Sequence, residues 1–108
     1  MNAEIIRGFT DAIILNILNK NDSYGYMITK KIMEITNNEM NIENATIYMA
    51  FRRMEKLKLI TSYITSNVHG VNRKYYKITS DGKKYLENKK LEWIHNREIL
   101  NKLMGDLL

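Results

Sequence analysis

Cysteine is absent from this 108-residue chain, which excludes disulfides, cysteine-based zinc sites and thiol nucleophiles and suits a reducing compartment. Proline is absent too, so no pyrrolidine ring interrupts a helix once it has started. The five glycines form no phosphate-cradling loop, and there is neither a Gly-x-Ser-x-Gly turn nor a pair of histidines one helical turn apart. His69 and His95 have no partner at ligand spacing, so no metal site is expected. Without these motifs, neither an enzyme nor a cofactor-dependent protein is expected. Unbroken apolar stretches such as Ala12–Leu15 are far shorter than the roughly 20 residues of a membrane-spanning helix. The start, "MNAEIIRGFT", has no long apolar run behind a basic residue, so the chain reads as a cytoplasmic protein with no membrane partner.

What is present is a modest excess of positive charge, unevenly placed. The net charge is +5. Residues 1–39 carry four basic and five acidic groups, residues 40–79 seven and two, and residues 80–108 six and five. The whole excess therefore lies in the middle third, a localised surface suited to phosphate. The length is that of a single compact domain with one core.

Apolar residues between Phe9 and Asn19 cover more than one face of a helix, so this segment should be covered on two sides. After "NKNDS", where Asp22 or Ser23 could cap a helix, Ile28, Ile32 and Ile35 form a stripe that excludes Lys30 and Lys31. "TNNEMN" ends that second helix, and Asn41 could cap a third over about 43–57. "ITSYITS" and "RKYYKIT" then read as a two-stranded hairpin, with Asn67, Gly70 and Asn72 favouring the turn between them. Tyr76 and Ile78 share one strand face; Arg73, Tyr75 and Lys77 share the other. Thr79 or Ser80 could cap a last helix that starts with Asp81 and runs to about Met104. Along it Leu86, Trp93, Leu100 and Leu107 recur every seven residues, with Leu103 beside them, a spacing that favours packing against a second helix in a homodimer.

The stretch "NATIYMAFRRMEKLKLI" carries two messages. Ile47, Phe51 and Met54 mark a buried face, while Asn44, Ala45, Thr46, Tyr48, Met49, Arg52 and Arg53 are left to face outward. Three helices followed by a hairpin is the winged helix-turn-helix order, in which the third helix enters the DNA major groove and the hairpin lies along the backbone. Arg52 and Arg53 are then candidate phosphate or base contacts, Thr46 and Tyr48 candidate hydroxyl donors, and Arg73, Lys74 and Tyr76 candidate wing contacts.

Three fragments, "YGYMI", "NATIYMAFRRMEKLKLI" and "NRKYYKITSDG", together resemble the PadR family of bacterial transcriptional regulators from about Phe9 to Gly82. The resemblance implies a phosphate contact at Tyr24. The single C-terminal helix and "LEWIHNREIL" resemble the small branch of that family, and its multidrug-sensing LmrR type. That likeness implies a homodimer whose central pore holds planar aromatic compounds between paired tryptophans. Trp93 would be the tryptophan, and Ile5, Gly8 and Ala12 of the first helix would lie nearby. Arg97 stands where the multidrug type carries an acidic residue one turn further on, and Ala45 where glycine is usual.

The expected protein is thus mainly α. Residues 1–79 should form a winged helix-turn-helix and residues 80–108 a C-terminal dimerisation helix packed on the same domain. It should act as a repressor on palindromic double-stranded operator DNA, with a possible flat aromatic effector at the dimer centre. A constitutive DNA binder without ligand and a winged-helix protein-interaction module are the alternatives.

Overall fold

A computed structural model describes residues 3–105, with side chains described from Phe9 onward. The order is α1 (Ala3–Lys20), α2 (Gly25–Ile35), α3 (Asn44–Lys56), β1 (Ile60–Ser66), β2 (Asn72–Ile78) and α4 (Ser80–Met104). The expected winged helix-turn-helix with a long last helix is therefore the observed architecture.

The core is where the apolar periodicities meet. Ile14, Leu15 and Leu18 of α1, Ile28 and Ile32 of α2, and Ile47, Phe51 and Met54 of α3 are all nearly or wholly buried. Each such side chain contributes roughly 1.5–3 kcal/mol by leaving water. Ile35, expected to complete the α2 stripe, is instead 66 % exposed. It is the last residue of the helix and turns toward a groove beside α1 and α4 rather than into the core.

The strands pair antiparallel with Ile60 opposite Ile78 and Ser66 opposite Asn72. The turn between them is stabilised as its residues suggest: Asn67 Oδ1 accepts from the backbone N–H groups of His69 and Val71, and Gly70 takes a positive φ of 73°. A third short edge, invisible in the sequence pattern, comes from Ser23, whose backbone exchanges hydrogen bonds with Tyr76 at 3.2 and 2.7 Å. It locks the start of α2 to the wing.

Helix starts differ from expectation at two of three places. α2 begins after Tyr24 and α3 after Glu43, in both cases without a side-chain cap. Asp22 instead accepts the Tyr63 hydroxyl at 2.6 Å, and Ser23 Oγ is buried without a partner. Thr79 does cap α4: its hydroxyl accepts from Gly82 N–H at 3.0 Å and donates to the Lys58 carbonyl at 2.7 Å.

Burial places two residues differently from expectation. Tyr76, expected against DNA, is 5 % exposed and stacks on Phe51 with ring centroids 3.8 Å apart. The alternation along β2 that puts Ile78 inside puts Tyr76 inside as well. Leu86, expected at the dimer interface, is 2 % exposed within its own chain because the first two turns of α4 lie on the core. Leu107 lies outside the described residues.

A candidate nucleic-acid interface on α3 and the wing

The exposed side of α3 follows from its periodicity. With Ile47, Ala50, Phe51 and Met54 turned inward, Asn44, Ala45, Thr46, Tyr48, Met49, Arg52 and Lys56 are exposed. Two contacts fix the angle between α2 and α3. The Thr29 hydroxyl donates to Asn44 Oδ1 at 3.0 Å. The Tyr48 ring lies over Gly25 so closely that a β-carbon there would come within 2.8 Å of the phenol oxygen. Gly25 therefore admits Tyr48, which explains a glycine at the start of a helix where it would otherwise weaken the structure.

Arg53 is less free than its sequence position suggests. Its Nε donates to Asp11 Oδ2 at 3.1 Å and its Nη2 to the other carboxylate oxygen, tying α3 to α1. The hydrogen bond with Asp11 raises the pKa of the guanidinium, with some opposition from burial. Half of the Arg53 side chain remains exposed, against 18 % for Asp11. Arg53 is thus tied to α1 while half of it stays exposed, whereas Arg52 is exposed and has no ion pair among the described residues.

On the wing, Arg73 and Lys74 are exposed and neither is loose. The Arg73 guanidinium lies 4.4 Å from the centre of the Tyr24 ring. Tyr24 packs on Tyr75 at 5.2 Å, and Tyr75 on Tyr63 at 5.8 Å, so the arginine sits at the end of a row of three rings. The row is fastened by the Tyr63–Asp22 hydrogen bond, which raises the pKa of the Tyr63 phenol. Lys74 Nζ is 3.7 Å from Glu55, a residue also held by the Ser62 hydroxyl at 3.0 Å. Between α2, α3 and β2 these side chains line a cleft of about 360 Å³, with Tyr24, Tyr48, Asn72, Arg73 and Lys74 at its walls. The result is a concave, cationic, phenol-rich surface continuous with the outer face of α3, able to donate several hydrogen bonds to phosphate oxygens.

A second hollow, of about 470 Å³, lies between α1, α2 and α4. Phe9, Ala12, Ile13, Ile17, Ile35 and Trp93 are among its walls. Phe9 meets Trp93 edge to face, ring centroids 5.1 Å apart. Arg97 is exposed further along α4 and is not one of the lining residues. The side chains of Ile5 and Gly8 lie outside the described residues.

Residues 14–88 match the Transcriptional regulator PadR-like family. The chain belongs to that family. It is 42 % identical over 107 residues to an uncharacterised protein of Lysinibacillus sphaericus, covering 99 % of this chain and 98 % of that one. Among solved structures it resembles a transcriptional regulator from Clostridium thermocellum, with 39 % identity, a TM-score of 0.88, and 97 % and 99 % of the two chains covered. A PadR family transcription regulator from Clostridium difficile is likewise 39 % identical, with a TM-score of 0.78 over 90 % of this chain and 99 % of that one. PadR-like proteins are transcription regulators, not enzymes, and the winged helix is their DNA-binding unit.

Of the residues singled out in the sequence, the PadR-like fold gathers Tyr24, Tyr48, Arg73 and Lys74 around one cleft, next to the exposed side of α3. Tyr76 also lines that cleft while largely buried against Phe51, and Arg53, half exposed, is bonded to Asp11 of α1. Asp11, Gly25 and Glu55 were not anticipated. Asp11 alone had a legible signal: it precedes Ile14, Leu15 and Leu18 at helical spacing, so a carboxylate falls close to an apolar face and requires a cation.

Proposed function

We infer that the protein is a homodimeric repressor that binds a palindromic operator, with α3 of each copy in the major groove and each wing on the adjacent backbone. The observation that carries the DNA contact is the exposed, uncapped and acid-poor face of α3 beside the Arg73–Lys74 cleft. The homodimer reading is supported by α4. Leu91, Ile94, Ile99, Leu100, Leu103 and Met104 are all exposed along it, more apolar surface than a small monomer usually leaves to water. In this reading residues 1–79 form the reading head and 80–108 the dimerisation helix, whose first turns belong to the head's own core. Two-fold symmetry then sets the half-sites about 34 Å apart, one turn of DNA, or a multiple of that.

A planar aromatic effector would enter beside Trp93, Phe9 and Ala12. The hollow there is apolar, of ligand size, and carries an indole with 46 % of its surface free. Such a ligand alters DNA affinity only by binding two dimer arrangements unequally.

The test is fluorescence anisotropy with a duplex from the promoter of the protein's own operon against random duplex. Tight, salt-sensitive preference for the promoter is expected, and equal weak binding to both would refute the operator reading. Titration of planar dyes against Trp93 emission tests the effector: saturable quenching is expected, and its absence with every dye would leave a constitutive regulator.

A further inference from the structure

We propose that the first two turns of α3 recognise A·T pairs through the thymine 5-methyl group, with Ala45 and Met49 as the reading side chains. This rests on the operator reading above and specifies which bases it uses.

In a helix-turn-helix the N-terminal residues of the recognition helix meet the base edges. Here those residues, Asn44, Ala45, Thr46, Tyr48 and Met49, carry no charge, and all five are exposed. Guanine is read in the major groove chiefly by a two-pronged cationic donor, and adenine by an amide that accepts and donates at once. The first two turns of α3 hold no cationic fork, and the amide of Asn44 is partly engaged. The amide oxygen of Asn44 already accepts from Thr29 at 3.0 Å. Tyr48 is drawn back over Gly25. Arg53 is spent on Asp11, so the nearest untethered cation is Arg52, a turn beyond Met49.

What the first turns do present is methyl groups. Ala45 offers one, Thr46 another, and Met49 extends a thioether with 64 % of its surface exposed. A large apolar side chain on the polar side of a helix contributes nothing to the core of its own chain. The thymine methyl is the apolar group that the major groove displays, and a long, polarisable side chain can reach and adapt to it. Apolar matching of this kind also suits a helix whose backbone affinity is supplied elsewhere, by Arg52, Lys56, Arg73 and Lys74.

The experiment selects duplexes from a random-sequence pool on the intact protein, then replaces each thymine of the selected site in turn with deoxyuridine, which lacks only the methyl. Kd should rise about five-fold, equivalent to about 1 kcal/mol, at one or two positions in each half-site. Met49→Ala should erase that penalty at one position while the penalties at the other sensitive positions persist. The proposal is overturned if every deoxyuridine site binds like its thymine parent, or if Met49→Ala keeps the full pattern of penalties. A pool that enriches no sequence at all would instead defeat the operator reading itself.

Discussion

Gly82 has no room for a side chain: an added β-carbon would lie 2.1 Å from the Leu59 carbonyl oxygen and 2.7 Å from Ile78 Cγ1. Backbone cannot yield as a flexible side chain can, so Gly82→Ala should cost on the order of 2 kcal/mol or more and lower Tm by roughly 10 °C, checked by thermal unfolding. The two adjacent arginines of α3 separate at the same scale. Arg52→Ala should weaken operator binding and reduce the salt slope by about 1 while leaving Tm unchanged. Arg53→Ala should in addition lower stability by about 0.5–1 kcal/mol, a modest value because the pair with Asp11 is half exposed and screened by solvent. Asp11→Asn should lower stability similarly without a loss of positive charge, so the two variants distinguish the strut from the DNA contact. Tyr76 adds a pH dependence. Burial raises its phenol pKa above the ordinary value of 10.0. The folded state therefore holds that proton more tightly than the unfolded chain, so its contribution is complete below about pH 10 and is lost as pH rises through the folded pKa. Tyr76→Phe should flatten that alkaline fall in a urea-unfolding series.

At the scale of elements, the end of α3 shows how a helix closes without glycine. Lys58 has φ of 59°, its N–H bonds the Glu55 carbonyl at 3.0 Å, and Leu59 N–H bonds the Met54 carbonyl at 2.9 Å. This is a Schellman closure with a lysine in the left-handed position, which costs an L-residue about 1 kcal/mol or more. Lys58→Gly should therefore raise stability by about 0.5–1 kcal/mol, read as a higher urea midpoint with an unchanged slope. The order of elements was legible because it depends on periods of 3.6 and 2 that α3, β2 and α4 carry plainly. Caps were less legible: Asp22 and Ser23 are competent cap residues, yet a tyrosine across the hairpin and a backbone bridge to Tyr76 claimed that segment. Ile35 and Leu86 failed for a related reason. A stripe shows which residues share a face but not where along the helix the covering neighbour ends, and α2 outruns its cover while α4 begins under it. Tyr76 is largely buried, as its place on the same strand face as Ile78 implies, although it still lines the cleft beside Arg73 and Lys74. Gly25 matters through Tyr48, a residue distant in sequence, a relation that spacing does not encode.

As a whole the molecule is elongated, 56 Å in its longest dimension against 30 and 21 Å in the others, because α4 continues past the head that its first turns help to build. Its two candidate surfaces share no lining residue: the cationic cleft lies between α2, α3 and β2, and the apolar hollow beside α1 and α4. α1 connects them, since Asp11 holds the reading helix while Ala12 and Ile13, next in sequence, line the hollow. Two heads joined by paired α4 helices would present two copies of α3 at a fixed separation, which a single head cannot do. In the proposed homodimer, two outward-facing α3 helices would engage one duplex together. Hydroxyl-radical footprinting on the selected duplex, with the protein-to-DNA ratio measured on the same complex by sedimentation, tests it most directly. Two chains per duplex and two protected patches on the same side of the DNA, about 34 Å apart or a multiple of that, are the expected result; one chain with a single protected patch would contradict it.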